Sequence, residues 1–316
     1  MTCVRCQHQS CKKFGYFGKR RIQRWRCNSC NSTFCEPAAK LGTHYTDPET
    51  AAKALTLMLE GMSVRAISRV TGLHKTTILA LMSTAAENVT RLMNTRMRGV
   101  RTRYIQSDEI WCFVGKKRRN VRTSDPAEVG DQWVFVAMDA ETKLVPSFVI
   151  GKRTRETTLR FLRDLQSRLS DARFQLTTDG FHFYERGVED VFGGTVDFAQ
   201  LVKLFGDFGQ SGDERYSPPR ITEVISKVRD GRPDPAHIST SHIERQNLTM
   251  RMQMRRFTRL TNAFSKKLEN LEAAVRLYFA WYNFCRVHQT LRVTPAMESG
   301  LADHAWTMRE LLETQA

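Results

Sequence analysis

The strongest constraint on folding lies at the start of this 316-residue chain, where six of its eight cysteines fall within the first 35 residues. Cys3 and Cys6 are separated by two residues, and Cys27 and Cys30 repeat that spacing after a gap. Two such pairs are typical of two knuckles that grip one tetrahedral zinc ion. The intervening apolar residues are too few to sustain a fold alone. We therefore expect a zinc ribbon over residues 1–40 whose folding free energy comes largely from the metal.

Two alternatives to this zinc ligand set stay open. Cys11 and Cys35 are further sulfurs that could replace one of the four or lie free. Disulfide pairing is the less favoured alternative, because clustered cysteines in a reducing compartment are more typical of metal ligation.

The charge balance favours a polyanionic partner. The chain has 49 Lys and Arg against 33 Asp and Glu, a net charge of +16, and its sequence pI is about 9.8. Basic residues concentrate in 1–40 and 245–267, where aromatic and apolar residues interrupt them. This pattern indicates folded, phosphate-facing surfaces rather than disordered tails, and DNA is the predicted partner. The alternative is a basic protein that binds no nucleic acid.

Length and hydropathy set the class of protein. A chain of this size exceeds what one hydrophobic core usually serves, so we expect two or three domains. No apolar stretch approaches the roughly 20 residues that span a bilayer, and the N-terminus lacks the apolar core of a secretion signal. The sequence predicts a soluble, cytoplasmic protein without a membrane partner.

A helix-turn-helix is predicted within an all-helical domain over residues 45–100. An amphipathic helix near 51–59 precedes a second helix at 63–70, and a third begins near His74 after a turn at Gly72. The second member of such a pair enters the major groove through its N-terminal side chains. An ordinary helical hairpin is the alternative. The predicted DNA contacts are His74, Lys75, Thr76 and Thr77.

From residue 103 the pattern becomes extended and then alternates with helices. The first three runs form a predicted three-stranded meander, and later strands alternate with helices, which is typical of an α/β sheet with helices on its faces. We place this domain at 101–265 and a helical segment at 266–316. Aromatic residues in that last segment favour core packing over base stacking. The predicted strands are 104–114, 132–138, 143–150 and 174–178, with a further apolar stretch near 196–205.

Three acidic residues stand in settings that suit metal chemistry. Asp108 lies in the first strand, Asp179 ends the fourth, and Glu244 lies in a later predicted helix. In this order of elements, which is that of the ribonuclease H-like fold, the three carboxylates can converge on divalent ions. Mg²⁺ or Mn²⁺ held by two or three carboxylates suits in-line displacement at a phosphodiester. The sequence thus predicts a polynucleotide-cutting enzyme.

Other acids compete for these positions. Glu109 is the closest competitor of Asp108, although strand alternation predicts that it faces the opposite side. Asp139 and Asp197 also border strands, and Asp139 is better explained as a turn former.

Two further residues share the predicted helix with Glu244. Asn247 and Arg251 fall on its side at i+3 and i+7, within reach of a scissile phosphate or its strand. A solvated arginine is the alternative for Arg251. His242 is interpreted as a surface or hydrogen-bonded histidine rather than a metal ligand.

Three segments make the sequence resemble a known family. They are Asp108-Glu-Ile-Trp-Cys-Phe-Val-Gly-Lys116, Gly151-Lys-Arg-Thr-Arg-Glu-Thr-Thr158 and His242-Ile-Glu-Arg-Gln-Asn-Leu-Thr-Met-Arg251. They resemble motifs of the insertion-sequence-one (IS1) family of bacterial transposases, and the similarity covers nearly the whole chain.

The resemblance implies a DDE transposase with Asp108, Asp179 and Glu244 at the catalytic positions and a divalent metal, normally Mg²⁺, as cofactor. We expect it to bind terminal inverted repeats, to cleave a strand and to join it to target DNA. It would act as a homodimer or larger assembly at the bacterial nucleoid. A non-catalytic DNA-binding regulator is the alternative class, and a host nuclease or resolvase of the same fold is a second enzyme reading.

The chain departs from that family in three places. Residues 118–131 are interpreted as an inserted loop, residues 206–240 form a long stretch rich in Gly, Pro and charge, and the tail continues through Trp281-Tyr-Asn-Phe-Cys-Arg-Val-His288. We expect a longer, single-frame branch of the family.

Overall fold

A small antiparallel sheet carries the N-terminal cysteines. The computed structural model describes residues 1–18, 21–35, 46–206, 221–258 and 262–313. Within the first two ranges, Phe14, Tyr16 and Phe17 are all exposed, so this sheet buries little apolar surface. The end of the predicted ribbon, 36–40, lies outside the described residues. The strands are β1 (Cys11–Phe17), β2 (Ile22–Cys27) and β3 (Thr33–Cys35), in the order β1-β2-β3.

Three helices follow. Ser63 begins the second of them by accepting a hydrogen bond from the Ala66 backbone N–H at 3.2 Å, and Gly72 ends it in the left-handed conformation. Ile67 and Ile78 pack together in a small buried cluster across the turn. The predicted pair of helices joined at Gly72 is thereby confirmed. The helices are α1 (Pro48–Leu59), α2 (Val64–Thr71) and α3 (Lys75–Arg96).

A six-stranded mixed sheet forms the centre of the rest of the chain. Its order is β6-β5-β4-β7-β8-β9, in which β4 pairs antiparallel with β5 and parallel with β7, and β7 pairs parallel with β8. The predicted meander of the first three strands is confirmed. The strands are β4 (Tyr104–Val114), β5 (Gly130–Asp139), β6 (Ser147–Gly151), β7 (Phe174–Thr178), β8 (Val196–Phe205) and β9 (Ile221–Asp230).

Helices pack against this sheet and against the earlier helices. α4 contacts β6 and α5, whereas α6 contacts β4 and β5, and α7 packs along α3. The aromatic residues of α7 are all buried, which confirms their predicted role in the core. These helices are α4 (Arg155–Arg168), α5 (Phe183–Phe192), α6 (Ser241–Gln253), α7 (Leu268–Phe284), α8 (Pro295–Glu298) and α9 (Met308–Glu313).

The third strand begins later than predicted. β6 starts at Ser147 instead of 143, because Pro146 has no N–H for a ladder bond and the residues before it pair elsewhere. The Asn283 side chain on α7 accepts from the Val145 N–H at 3.0 Å and donates to the Val145 carbonyl at 2.9 Å. The buried side-chain amide of Asn283 therefore satisfies the two backbone groups of Val145 that a neighbouring strand would otherwise pair.

An edge strand lies in the stretch that was described above only as rich in Gly, Pro and charge. β9 lies inside the 206–240 region, of which 207–220 fall outside the described residues. It pairs antiparallel with β8. Most of β9 is exposed, including Ile221, Val224 and Val228. A two-sided exposed strand has no apolar-polar alternation to reveal it.

Among the described helices, none combines the length and apolarity needed to cross a lipid bilayer.

Asn283 provides a test of the clamp on Val145. Asn283→Ala should lower the free energy of unfolding by about 2–4 kcal/mol, because two buried backbone groups lose their partners. Urea denaturation measures this change, with the exposed loop variant Asn120→Ala as control. A loss for Asn283→Ala no larger than that of the control would contradict the clamp.

Candidate active site

The four predicted zinc ligands converge. The sulfur atoms of Cys3, Cys6, Cys27 and Cys30 all lie within 4.8 Å of one another, with Cys3 to Cys30 and Cys6 to Cys27 each at 3.6 Å. A zinc ion at about 2.3 Å from four tetrahedral sulfurs would hold them roughly 3.8 Å apart, so the donor set fits zinc in both chemistry and size. Cys11 lies outside this group, with its sulfur 3.8 Å from the His8 carbonyl.

Strand register brings Asp108 next to Asp179. The parallel ladder of β4 and β7 ends with Ser107 opposite Thr178, so each aspartate is the next residue on its strand. Beyond this point β7 no longer covers β4, and the sheet opens. Asp179 also accepts a hydrogen bond from the Phe181 N–H at 3.0 Å, which fixes its carboxylate at the strand end.

Glu109 joins the two aspartates. One carboxylate oxygen from each of Asp108, Glu109 and Asp179 lies within 4.8 Å of the others. Glu109 interacts with Tyr184 of α5, whereas Asp108 contacts α6. The two neighbouring side chains therefore contact different helices, as strand alternation predicts. The expected separation of Glu109 from the site is nevertheless wrong, because both side chains reach the opening where β7 ends.

Arg153 neutralises part of this acidic cluster. Its guanidinium lies 2.9 Å from Glu109 Oε2 and 3.4 Å from Asp179 Oδ2. It also stacks over Phe181 and Trp133, at 4.0 and 4.9 Å from the ring centres. The residue belongs to a segment that carried the family resemblance, but no sequence signal pointed to a site role for it.

Burial and mutual repulsion make the carboxylates costly to ionise. Burial, followed by the charge of Asp179, raises the pKa of Asp108 to about 6 and that of Glu109 to about 8. Burial likewise raises the pKa of Asp179. A divalent cation would relieve this repulsion, and a set of hard carboxylate oxygens suits Mg²⁺ or Mn²⁺. The cluster therefore fits a metal centre.

Glu244 lies beside the cluster but outside its closest group. Its charge contributes to the raised pKa values of Asp108 and Asp179, so it faces them electrostatically. Its Oε1 accepts hydrogen bonds from Lys203 of β8 and from Thr240, the latter at 2.6 Å. Lys203 was not predicted, since an isolated lysine on a strand carries no signal of such a partner.

The start of α6 is anchored to the strand that carries Asp108. Gln106 on β4 accepts through Oε1 from the backbone N–H groups of His242 and Ile243, at 2.9 and 3.1 Å. These are first-turn donors that lack partners within the helix. The bonds fix the helix, and with it Glu244, relative to the sheet.

Asn247 contacts an acid of the site. Its Nδ2 donates to Asp108 Oδ2 at 2.9 Å, and its Oδ1 is buried without a hydrogen-bond partner among the described residues. Arg251 lies half-buried one turn further along α6, on the same side of the helix.

The competing acids have structural roles. Asp139 accepts from the backbone N–H groups of Glu141 and Thr142 at 2.7 and 3.2 Å, which confirms it as a turn former. Asp197 forms an ion pair with Arg173 at 2.7 Å. Neither belongs to the acidic cluster around Asp108.

The predicted DNA contacts lie at the start of α3. His74, Lys75 and Thr76 are exposed, and Thr77 is half-buried. His74 caps the helix, with its Nδ1 2.8 Å from the Thr76 hydroxyl. These side chains are accessible to a ligand, and their contact with DNA remains a prediction.

Comparison with curated proteins finds one informative relative. The insertion element iso-IS1n protein InsB from Shigella dysenteriae is 25% identical over 178 residues, which cover 56% of this chain and 94% of InsB. This match supports an IS1-like transposase. The resemblance to the IS1 family is thus confirmed, whereas the DDE assignment remains a proposal. No protein-family model matches the chain.

Solved structures with some similarity are also transposase complexes. The piggyBac transposase synaptic complex with hairpin DNA is 10% identical with a TM-score of 0.34, covering 91% of this chain and 73% of that one. The Mos1 transposase paired-end complex with the left transposon end is 14% identical with a TM-score of 0.21, covering 52% and 60%. TM-scores this low carry no argument about this chain.

The pH dependence of stability tests the buried carboxylate. Glu109 has a folded-state pKa raised above its ordinary value of 4.5, so its contribution to stability is present below pH 4.5 and is lost as pH rises through about 8. Without Mg²⁺ or Mn²⁺, the free energy of unfolding should fall between pH 5 and pH 8 by on the order of 2–4 kcal/mol more than in Glu109→Gln. Urea denaturation at both pH values, with zinc retained, measures the difference. Parallel pH profiles would contradict the burial of an ionisable Glu109.

Proposed function

We propose that this protein is a DNA transposase of a bacterial insertion sequence. It binds terminal inverted repeats, cleaves a strand and transfers its end to target DNA with the help of divalent metal ions. The observation that carries the proposal is the meeting of the Asp108, Glu109 and Asp179 carboxylates at the open end of two parallel strands, with Glu244 beside them. Such a group suits metal-assisted displacement at a phosphodiester.

The strand order supports a ribonuclease H-like catalytic domain. An antiparallel meander of β4, β5 and β6 is extended by β7 and β8, both parallel to β4, and the acids stand on β4, after β7 and on α6. This is the order of elements expected for that fold. The proposed domain limits remain 101–265, with a zinc ribbon at 1–40, a helix-turn-helix domain at 45–100 and a helical segment at 266–316.

Asp108, Asp179 and Glu244 are the proposed metal ligands. When bound, a pair of Mg²⁺ or Mn²⁺ ions supplies the Lewis acidity for attack by water or a 3′ hydroxyl. Asn247 holds the Asp108 carboxylate in place through its 2.9 Å hydrogen bond. Glu244, whose side chain is 43% exposed, would exchange its bond to Lys203 for a place nearer the aspartates.

Arg153 and Arg251 extend the proposed site towards the substrate. Arg153 is one-third exposed and reaches the cluster from the turn between β6 and α4, so its guanidinium can turn from Asp179 towards a phosphate. Arg251, on the Glu244 side of α6, is the proposed contact to the adjoining DNA strand.

The N-terminal modules supply DNA recognition in this proposal. Zinc on the four cysteines holds the ribbon, and His74, Lys75, Thr76 and Thr77 read the terminal repeats from the start of α3. The net charge of +16 supports binding to the phosphate backbone of both element and target DNA. Pairing two ends requires at least a dimer, and the site of action is the bacterial nucleoid in the cytoplasm.

The catalytic proposal is tested by strand cleavage and joining on labelled end DNA in Mg²⁺. Asp179→Asn and Glu244→Gln should lower both activities by about 100-fold or more while leaving DNA binding intact, because each removes one metal-binding charge. Glu156→Gln, an exposed carboxylate on α4, serves as the matched control and should remain active.

Three outcomes separate the function classes. Cleavage without joining would indicate a nuclease or resolvase of the same fold. Specific DNA binding without any metal-dependent cleavage by the unaltered protein would indicate a regulator. Full activity in both acid variants would remove the catalytic assignment.

End recognition is tested separately at α3. Lys75→Ala and Thr76→Ala should each lower the preference for end DNA over random DNA by about fivefold or more, as expected for lost base contacts. Competition binding measures this preference, and Lys53→Ala on the exposed side of α1 is the control. An equal loss on both DNAs would mark phosphate contacts instead.

A further inference from the structure

A basic cavity lies on the far side of α6 from the acidic cluster. It has a volume of about 330 Å³, at the lower end of the range for ligand sites. Among the described residues that line it, none is acidic. The lining residues that matter here are Lys143, His242, Arg245, Tyr282, Arg286 and His288.

The spacing of residues along α6 separates the two sites. With 3.6 residues per turn, Arg245 and Thr249 fall on one side of the helix, and both line the cavity. Glu244 and Asn247 fall on the other side, towards Asp108. A helix about 10 Å in diameter therefore divides the cavity from the acids, a distance that a DNA strand covers in a few nucleotides.

The cations in the cavity repel one another. Burial, followed by the charges of Lys143 and Arg286, lowers the pKa of His288. Asp139 and Glu141 offset part of the charge of Lys143, but neither of them lines the cavity. An anion entering the cavity would remove this repulsion.

One hydrogen-bond donor in the cavity also lacks an acceptor among the described residues. Tyr282 is 1% exposed, and its hydroxyl has no hydrogen-bond partner among the described residues. Leaving such a group unpaired costs about 1–3 kcal/mol, which an oxygen-rich ligand would recover. Arg286 keeps one contact, from NH1 to Gln253 Oε1 at 3.1 Å, and so is held in place at the cavity wall.

We infer that this basic cavity binds a phosphate group of the DNA strand on which the protein acts. A phosphate brings negative charge and several acceptor oxygens to a site that has cations and donors. The inference rests on the proposed function in taking DNA as the source of that phosphate. Gln106 joins the start of α6 to β4, which carries Asp108. A DNA strand whose phosphate is held in the cavity is therefore fixed relative to Asp108.

The first experiment counts phosphate contacts in Arg245→Gln. Affinity for end and random duplexes is measured by fluorescence anisotropy over a range of salt concentrations, without divalent ions. We expect a several-fold loss on both duplexes and a slope of log affinity against log salt reduced by about 0.9, the value for one phosphate contact. The matched control is Arg163→Gln, an exposed arginine on α4 that should keep the slope. An unchanged slope in Arg245→Gln, or a loss on end DNA alone, would overturn the inference.

The second experiment locates the phosphate. Single neutral methylphosphonates are placed along the duplex, and one position should weaken binding of the unaltered protein but not of Arg245→Gln. If no position behaves in this way, DNA is not the ligand. That result, together with a rise in Tm with inorganic phosphate that Arg245→Gln abolishes, would assign the cavity to a free anion instead.

These measurements are independent of catalysis. A protein that passes both but does not cut or join DNA would retain the phosphate site and lose the transposase proposal. If the unaltered protein cleaves and joins DNA while Arg245→Gln binds DNA like Arg163→Gln, the transposase proposal is retained and the phosphate site is lost.

Discussion

The parallel pairing of β4 with β7 is the interaction on which the acidic cluster depends. Its last pair, Ser107 with Thr178, sets the two aspartates side by side although 71 positions separate them in the sequence, 108 to 179. A slip of one residue would turn one aspartate to the other face of the sheet. The buried residues of β7 and the helices packed around them thus determine the chemistry at its end, because they fix this register.

Concentrating carboxylates in a buried opening carries an electrostatic cost, and the chain offsets it with nearby partners. Arg153 faces Glu109 and Asp179, Lys203 holds Glu244, and Asn247 donates to Asp108. Each partner comes from a different part of the chain, so the site is assembled from the turn between β6 and α4, from β8 and from α6, as well as from the strands that carry the acids. These contacts leave the acids ordered and available for a divalent ion.

The sequence predicts the elements better than their contacts. Cysteine spacing located the four-sulfur cluster, and strand patterns with the Gly72 turn located the meander and the helix pair, because these signals are local. β9 was missed because both of its faces are exposed, and Glu109 was misplaced because alternation does not reveal where a neighbouring strand stops. Arg153 and Lys203 were not foreseen, since a cation gives no sign in the sequence of which distant carboxylate it will meet.

The position of Arg153 between two aromatic rings and two acids has a consequence for how the molecule matures. Stacking on Phe181 and Trp133 keeps the guanidinium in place without any bound ion. The chain thus contains an internal counter-ion, and the sheet that carries the acidic cluster can fold on leaving the ribosome before it encounters a divalent ion. Binding of the proposed metal would then be an exchange of one cation for another, rather than a step on which folding must wait.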